Sequence, residues 1–265
     1  MPEGDNLFAW AREIDGALRD QTLVRATSNR VNLSRFEGRK VRCARAHGKQ
    51  LLIEFDDGHV LRTHLRMHGT IRVRDGAYTG PAINPHVRWL LSTADKTALC
   101  LDAPTVELLH EKQIAAHPVL SRLGPDVLSP ELDLAEILRR LRARDSVPIG
   151  SALMDQELLA GIGNVYKSEI LFMAELSPFV PVASLSDEKL TELVTLARRW
   201  MQRNIGSSRR TTPAGRVASH YWVYGRSGEP CLRCGARVRM RRQDPLARST
   251  YYCPECQLPA QPGAN

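Results

Sequence analysis

The amino-acid sequence predicts a multidomain α+β protein, because three different patterns follow one another along the chain. A helical stripe and then short alternating runs occupy residues 5–103, further helical stripes occupy residues 104–204, and two Cys-x-x-Cys pairs lie within residues 220–257. A length of 265 residues suffices for one large or two to three small domains with buried cores. We expect domains over residues 1–115, 116–219 and 220–265.

The first predicted element is a helix over residues 5–20. Leu7, Ala11, Ile14 and Leu18 share one face of this helix, and Asp5 is a suitable N-cap. A helix that is anchored by its apolar face would hold the start of the chain in a fixed place. The partial positive charge of its N-terminus would favour an anion there.

Residues 21–103 are predicted to form a β-sandwich or barrel of short strands. Alternating or apolar runs recur at residues 22–26, 40–46, 50–55, 59–65, 70–74, 87–92 and 98–102. Asp57-Gly58 is a typical hairpin turn between two of these runs. Cys43 and Cys100 lie singly in apolar runs, and we interpret both as core residues.

The pattern is helical from Pro104 to about Asn204. One stripe lies within residues 134–141 after Asp133, and another lies within residues 190–201 after Ser186. Stripes of this kind are typical of a packed core. Residues 205–219 are rich in Gly, Ser, Thr and Arg and are predicted to form a linker or mobile loop, and residues 259–265 are predicted to be a frayed tail.

Gly161-Ile162-Gly163-Asn164 separates two helical segments between these stripes, and Asn164 is predicted to cap the second segment. Glycines before a helix N-terminus expose backbone N–H groups to an incoming phosphate. The alternative interpretation is an ordinary helix–turn–helix corner of a bundle.

Four cysteines near the end of the chain have the spacing of a zinc site. Cys231-x-x-Cys234 and Cys253-x-x-Cys256 are separated by eighteen residues, and each pair can wrap one side of a tetrahedral ion. Because four thiolates leave no open position, we predict one structural Zn²⁺. Asp244-Pro245 is predicted to be the turn of a hairpin between the pairs.

This hairpin would present arginines to a phosphate backbone. Residues 220–258 contain seven arginines, no lysine and three acids, which gives +4 of the total net charge of +8. A pI near 9.4 favours a polyanionic partner, above all nucleic acid. The alternative is a zinc ribbon that braces a fold or binds another protein.

The chain also carries sequence signals that bear on its location. No apolar run is long enough for a transmembrane helix, and charged residues interrupt the N-terminal segment where a signal peptide would have its apolar core. We therefore expect a cytoplasmic protein without a membrane partner.

The first residues suggest covalent chemistry. If Met1 is removed, Pro2 carries a free secondary amine, and α-amino groups titrate near pH ~8. An uncharged amine can attack an electrophilic carbon and form a Schiff base, while Glu3 could supply a proton or stabilise a cation. The alternative is that Met-Pro is only a common chain start.

Together, in this order, these features resemble the formamidopyrimidine-DNA glycosylase/endonuclease VIII family. The resemblance covers residues 2–257 and rests on Pro2-Glu3-Gly4, the β-rich first segment, the Gly161–Asn164 corner and the terminal zinc hairpin. It implies an N-terminal helix plus β-sandwich, a helix–two-turns–helix domain and a C-terminal β-hairpin zinc finger. Damaged DNA would bind in the cleft between them, and the protein would act as a monomer associated with the nucleoid.

The resemblance also implies roles for single residues. Pro2 matches the nucleophile of the family, and Glu3 matches the acid that assists base departure and sugar-ring opening. Lys49, in the segment His47–Leu52, matches a catalytic lysine. Asn164 and Arg248 match residues that bind the DNA backbone.

A further loop is implied to fill the space that a flipped base leaves. By resemblance this loop contains Arg66, Met67 and His68, with Met67 as the wedge.

The branch of the family follows from three segments. Residues 93–97 and 124–128 resemble the endonuclease VIII branch, which prefers oxidised pyrimidines, and residues 102–107 lack the Asp-x-Arg-Arg-Phe-Gly segment of the purine-repair branch. Many members carry a second acid where this chain has Asn6. The alternatives are a purine-lesion glycosylase and a catalytically weak or non-enzymatic damaged-DNA-binding protein of the same fold.

Overall fold

The computed structural model describes residues 2–80, 84–207, 209–213, 219–244 and 246–258. The chain divides into two compact units, Met1–Arg122 and Leu123–Asn265. The predicted tail over residues 259–265, Pro245 of the predicted hairpin turn, and residues 208 and 214–218 of the predicted linker lie outside the described residues. The finer boundaries at residues 115 and 219 stay predictions.

The first unit consists of an N-terminal helix and two four-stranded antiparallel sheets. Helix α1 (Gly4–Leu18) precedes one sheet with the order β1-β6-β7-β5 and another with the order β2-β3-β4-β8. The strands are β1 (Arg25–Ser28), β2 (Val41–His47), β3 (Gln50–Phe55), β4 (His59–His64), β5 (Thr70–Asp75), β6 (Val87–Ser92), β7 (Lys96–Leu101) and β8 (Thr105–His110); the short helix α2 (Glu111–Ile114) follows them. The predicted sandwich is confirmed.

A single apolar cluster fills the space between the sheets and α1. The predicted helix face is buried, and Phe36, Phe55 and Trp89 are fully enclosed. Asp15 on α1 also accepts a hydrogen bond from the Ala44 backbone N–H in β2, at 2.8 Å. Apolar packing and this bond together fix α1, and with it the start of the chain.

Two predicted strand positions in this unit are wrong. The first strand begins at Arg25 rather than residue 22, because the Leu23 N–H bonds to the Arg39 carbonyl and the ladder with β6 covers Arg25–Ser28. The segment Thr105–His110, which we expected to be helical, is β8 and pairs with β4. All six residues of β8 are half-buried, so apolar and polar residues do not alternate clearly along this segment.

The N-cap predicted for α1 is also wrong. The helix begins at Gly4 with Glu3 as N-cap, and the Glu3 N–H donates to Asn6 Oδ1 at 3.2 Å. Asp5 lies inside the first turn and is buried. The cap therefore falls two residues earlier than the sequence pattern indicated. The Asn6 side chain accepts the hydrogen bond of the Glu3 backbone N–H, which has no partner within the helix ladder.

The second unit begins with helices and ends in a hairpin. The helices are α3 (Leu134–Arg142), α4 (Ile149–Ala152), α5 (Asn164–Met173) and α6 (Asp187–Asn204), and the strands are β9 (Arg239–Gln243) and β10 (Arg248–Tyr252). As predicted, Asp133 and Ser186 cap α3 and α6 by accepting backbone N–H bonds. In the part of the chain that the structure describes, none of the helices has the length and hydropathy that a membrane crossing requires.

The predicted cap of α5 is wrong, because Gly163 is its N-cap and Asn164 is its first helical residue. Gly161 has φ +111°, a conformation that a glycine adopts without strain. The first of the two predicted helical segments is wrong, because α4 ends at Ala152 and residues 153–163 before α5 form turns and an isolated bridge of Ala160 to Asp126. The side chain of Asn164 is free to bond outside its own helix, as described below.

The prediction that both single cysteines are core residues is confirmed for Cys100 and wrong for Cys43. Cys100 in β7 is fully buried, and burial raises the pKa of its thiol to about 12. Cys43 in β2 is only half-buried, and burial is also the main cause that raises its pKa. Both thiols are therefore protonated at neutral pH.

Candidate active site and metal centre

The first candidate group is the start of the chain. Pro2 is half-buried and directly precedes Glu3, whose side chain is fully buried at the N-terminus of α1. Because α1 is fixed by its buried face, Pro2 occupies a defined position beside a carboxyl group. The arrangement places a secondary amine, once Met1 is removed, next to a group that can exchange a proton.

Lys49 lies at the tip of the β2–β3 hairpin. His47 pairs with Gln50, so Gly48 and Lys49 alone form the turn, and Gly48 adopts φ +56°. Such a tight turn holds the lysine between β2 and the fully buried β3, which is a more rigid position than a long loop would give.

His64 lies close to this lysine and was missed by the sequence analysis. Burial, followed by the charges of Arg66, Lys49 and Arg62, lowers the pKa of His64 to about 4. At neutral pH the imidazole is therefore neutral, while three cations surround it. The one sequence signal was the alternation of β4, which puts Arg62 and His64 on the same face.

The predicted wedge loop connects β4 to β5. Arg66, Met67 and His68 are all exposed, and Met67 has 57% of its surface accessible. Leu65 is buried and anchors the loop, while Gly69 approaches so closely that a Cβ would lie 2.8 Å from the Leu65 carbonyl oxygen. A buried residue at one end and an obligatory glycine at the other present Met67 outward.

Asn164 in the second unit is 7% exposed and contacts the zinc hairpin. Its Nδ2 donates to Ser249 Oγ at 2.9 Å, whereas its buried Oδ1 has no hydrogen-bond partner within the part of the chain that the structure describes. A serine hydroxyl both donates and accepts, so either amide atom can take this bond and leave the other for a ligand. The side chain can therefore donate to a phosphate.

Arg248 begins β10 and is held by a residue that the sequence analysis treated only as part of a turn. Its Nε donates to Asp244 Oδ2 at 2.6 Å, and Asp244 Oδ1 accepts the Leu246 N–H at 2.9 Å. This ion pair uses one of the five N–H donors of the guanidinium. The carboxylate thus orients Arg248 while terminal N–H groups remain to bind an anion.

The other hairpin arginines divide between surface and structural positions. Arg239, Arg241 and Arg242 on β9 are exposed, as predicted. Arg241 stacks over the Phe179 ring at 4.7 Å, and Arg242 donates to the Ala247 carbonyl at 2.8 Å. The hairpin presents positive charge, but Arg241 and Arg242 also contact neighbouring residues of the fold.

The four cysteines meet at one point. Their sulfur atoms all lie within 4.8 Å of one another, with Cys231 and Cys256 3.9 Å apart and Cys234 and Cys253 3.5 Å apart. Tetrahedral zinc with Zn–S bonds of about 2.3 Å requires sulfur separations of about 3.8 Å. The four thiolates therefore fit one Zn²⁺, and the closed coordination makes it structural.

A buried carboxylate joins α5 to the segment before the zinc ligands. Glu169 is fully buried and accepts backbone N–H bonds from Trp222, Val223 and Tyr224 at 2.7, 2.9 and 2.8 Å, as well as the Thr212 hydroxyl. Burial raises the pKa of Glu169 and the four donors lower it, with burial the larger effect. No local pattern marked this residue, since its partners lie more than forty positions further along the chain.

Comparison with known proteins agrees with this architecture. Residues 1–105 match the formamidopyrimidine-DNA glycosylase N-terminal domain, residues 123–214 match the H2TH domain of the same protein, and residues 228–258 match a zinc finger found in FPG and IleRS. The helix and sandwich, the helical region and the metal hairpin therefore each match a domain model.

Individual relatives extend over almost the whole chain. The chain is 38% identical to a probable endonuclease 8 2 of Streptomyces coelicolor, over 99% of this chain and 96% of that protein. It is 35% identical to the DNA-(apurinic or apyrimidinic site) lyase Nei2 of Mycolicibacterium smegmatis, over 97% and 99%. A solved complex between Lactococcus lactis Fpg and abasic-site DNA matches with a TM-score of 0.79 at 26% identity, over 97% and 99%. The chain belongs to the formamidopyrimidine-DNA glycosylase/endonuclease VIII family.

Proposed function

We propose that this chain is a base-excision-repair DNA glycosylase with abasic-site lyase activity. The observation that carries the proposal is the position of Pro2, immediately before the buried Glu3 at the start of an anchored helix, in a chain of this family. A relative whose match covers 97% of this chain is named a DNA-(apurinic or apyrimidinic site) lyase. A protein that only binds DNA has no use for a fixed N-terminal amine beside a carboxyl group.

The first chemical step removes the damaged base. The target nucleotide leaves the base stack, and the Pro2 nitrogen attacks C1′ of its sugar. A bond forms between nitrogen and C1′, the bond from C1′ to the base breaks, and the base leaves with the electron pair and takes up a proton. Glu3 assists this departure and then protonates O4′ as the sugar ring opens to an iminium ion.

The second step cleaves the strand. Because the iminium withdraws electrons, the neighbouring C2′ proton becomes acidic and can be removed by a base. The electron pair then forms a C2′–C3′ double bond and expels the 3′ phosphate. Water hydrolyses the remaining conjugated iminium to an unsaturated aldehyde and restores the amine of Pro2.

The proposed DNA contacts fall into two sets. Lys49 in the first unit, and Asn164 and Arg248 in the second, bind backbone phosphates and stabilise the flipped conformation. Met67 fills the space that the base vacates, with Arg66 and His68 beside it. The exposed position of Met67 and the oriented guanidinium of Arg248 support these roles.

The substrate class that we propose is the oxidised pyrimidine, with a purine lesion as the alternative. Relatives named endonuclease 8 are 33–38% identical to this chain, whereas two relatives named formamidopyrimidine-DNA glycosylase are 29% identical. We further propose that one chain suffices for activity and that the enzyme works on DNA in the cytoplasm. Sedimentation of the protein with and without an oligonucleotide tests the first of these.

Borohydride trapping tests the function directly. Matched duplexes carry an oxidised pyrimidine, an oxidised purine or an abasic site, and peptide mapping identifies the linked residue. We expect an adduct on Pro2, with the pyrimidine duplex consumed faster than the purine duplex. A chain that binds all three duplexes but is never trapped would be a damaged-DNA-binding protein instead.

Glu3→Gln separates the two steps. We expect base removal to fall by about 100-fold or more, while cleavage at a ready-made abasic site falls less, because only the first reaction requires the base to leave. Glu13→Gln, on the exposed side of the same helix, is the matched control. Equal losses in both reactions would remove the assigned role of Glu3 in base departure.

A further inference from the structure

Lys167 is a fully buried lysine in the second turn of α5. Its Nζ donates to the Ser249 carbonyl at 3.1 Å and to Thr250 Oγ1 at 2.8 Å, and both residues belong to β10. A buried ammonium is costly unless hydrogen bonds compensate for lost water. A charge-assisted contact in such a setting therefore fixes the two elements firmly relative to each other.

The contacts of Lys167 belong to a continuous row between α5 and the edge of β10 that faces away from β9. Asn164 donates to Ser249 Oγ at 2.9 Å, and the Tyr251 N–H donates to Ser168 Oγ at 3.4 Å. These three helix residues are spaced at i, i+3 and i+4, so they lie on one face. Helix α5 thus takes the place that a third strand would have beside β10.

Ser249 is the point at which this row reaches the proposed DNA contacts. It directly follows Arg248, its hydroxyl binds Asn164, and its carbonyl binds Lys167. The side chains of Asn164 and Lys167 both bind Ser249. This single residue therefore sets the backbone position of Arg248 relative to Asn164. A displacement of about 1 Å is enough to weaken a positioned contact severely.

We propose that Lys167 is a positioning residue that fixes Arg248 relative to Asn164, so that the two bind the DNA backbone as one unit. This inference rests on the proposed function, in which Arg248 and Asn164 contact phosphates. Lys167 itself is buried and acts through Ser249 and Thr250 rather than on the DNA.

Two simpler roles must be separated from positioning. Lys167 could add a positive charge near the DNA, or it could only stabilise the fold of the zinc hairpin. A double-mutant cycle distinguishes them, because effects that act through Arg248 disappear once Arg248 is removed, whereas independent effects add.

The experiment compares Lys167→Met, Lys167→Arg, Arg248→Ala and the double variant Lys167→Met/Arg248→Ala. Methionine keeps length and apolar bulk, and arginine keeps charge and donors. Lys112→Met, at an exposed lysine of α2, is the control for net charge. Each protein is measured for zinc content, for affinity to a duplex with a non-cleavable abasic analogue, and for kcat and KM on a true abasic site.

We expect Lys167→Met to weaken DNA binding by about tenfold and to raise KM with little change in kcat, because it removes a charge-assisted pair of bonds. Lys167→Arg should restore most of the affinity, and Lys112→Met should stay within about twofold of the parent. In the Arg248→Ala background, Lys167→Met should cost less than about twofold.

Three results would overturn the proposal, and they differ in what else they affect. If Arg248→Ala weakens binding and Lys167→Met does not, the positioning role is wrong and the proposed function stands. If the two penalties multiply in the double variant, Lys167 acts independently of Arg248. If Arg248→Ala leaves affinity unchanged, the proposed phosphate role of Arg248 fails, and the role of Lys167 fails with it.

A second variant keeps the test valid if Lys167→Met does not fold or does not retain zinc. Thr250→Val removes the hydroxyl that accepts from Lys167, together with the bond of that hydroxyl to Gln243, and leaves the lysine and the Ser249 carbonyl in place. It should weaken binding by about threefold, and this loss should also vanish in the Arg248→Ala background. An additive loss would contradict the proposal as clearly as it would for Lys167→Met.

Discussion

The sandwich of the first unit and the zinc hairpin of the second are stabilised in different ways. The sandwich has a large apolar cluster that includes the face of α1 and the fully buried Phe36, Phe55 and Trp89. The hairpin has only a few buried apolar residues around it, and two of these, Cys231 and Cys253, are metal ligands. A region of this size cannot bury enough apolar surface, so the metal supplies much of its stability.

The difference shows how each region holds its functional groups. In the sandwich, Pro2 and Lys49 sit at the ends of elements whose positions come from apolar packing. Beside the zinc hairpin, positions come from buried polar side chains, Glu169 and Lys167, whose bonds reach other segments. We therefore expect changes at the first site to affect chemistry alone, and changes at the second to affect structure and DNA binding together.

The largest expected effect is on chemistry at Pro2. A chain that retains Met1, or whose terminus is acetylated, should cleave abasic-site DNA at least about 1,000-fold more slowly, because no free amine can form the iminium. Its thermal unfolding and its affinity for the non-cleavable analogue should stay close to those of the processed chain. A Met1-retaining chain with full activity, or an adduct that maps to Lys49, would exclude Pro2 as the nucleophile.

Removal of zinc should show the opposite pattern. We expect Cys253→Ala, or a strong chelator, to unfold the hairpin and weaken DNA binding by about 100-fold, since metal binding and folding are coupled in such sites. Hydrogen exchange should show the loss of protection in residues 220–257 and its retention in the sandwich. Cys100→Ala is the control and should keep one zinc per chain. Folded, freshly purified protein without zinc would refute the metal assignment.

Glu169→Gln tests the polar contacts that hold the same region. Glutamine replaces one acceptor oxygen by a donor that faces backbone N–H groups, so we expect a loss of about 2–3 kcal/mol in unfolding free energy. The loss should be visible in urea unfolding and in faster exchange of the amides of residues 222–224. Glu192→Gln, on the exposed face of α6, should change stability by less than about 0.5 kcal/mol. Similar values for both variants would show that Glu169 is not a structural anchor.

The smallest effect concerns the pH dependence of the sandwich. The pKa of His64 lies at about 4, below the ordinary value of 6.5, so its neutral form is favoured in the folded state. Its contribution to stability is complete above pH 6.5 and is lost as the pH falls from 6.5 through about 4. Over this range the parent should lose about 2 kcal/mol more than His64→Gln, and NMR titration should place the imidazole pKa near 4. An imidazole that titrates near 6.5 would contradict this.

Much of the molecule was predictable from local sequence. The bounds of β3 and β6, the caps of α3 and α6, and the four-cysteine zinc site follow from period, cap residues and ligand spacing. These features depend on interactions within a few residues, or on a metal whose ligand pattern is fixed. The first residues alone left Pro2 open between a catalytic amine and a common chain start; its catalytic role comes from the family resemblance and stays a prediction.

Other features were decided by the tertiary structure. Segment Thr105–His110 is a strand because β4 offers it an edge. The bonds of Lys167 to Ser249 and Thr250 join residues more than eighty positions apart. A lysine that shares a helix face with Asn164 and Ser168 carries no local mark of a distant partner, so only the packing of α5 against β10 could show that Lys167 is buried and what it holds in place.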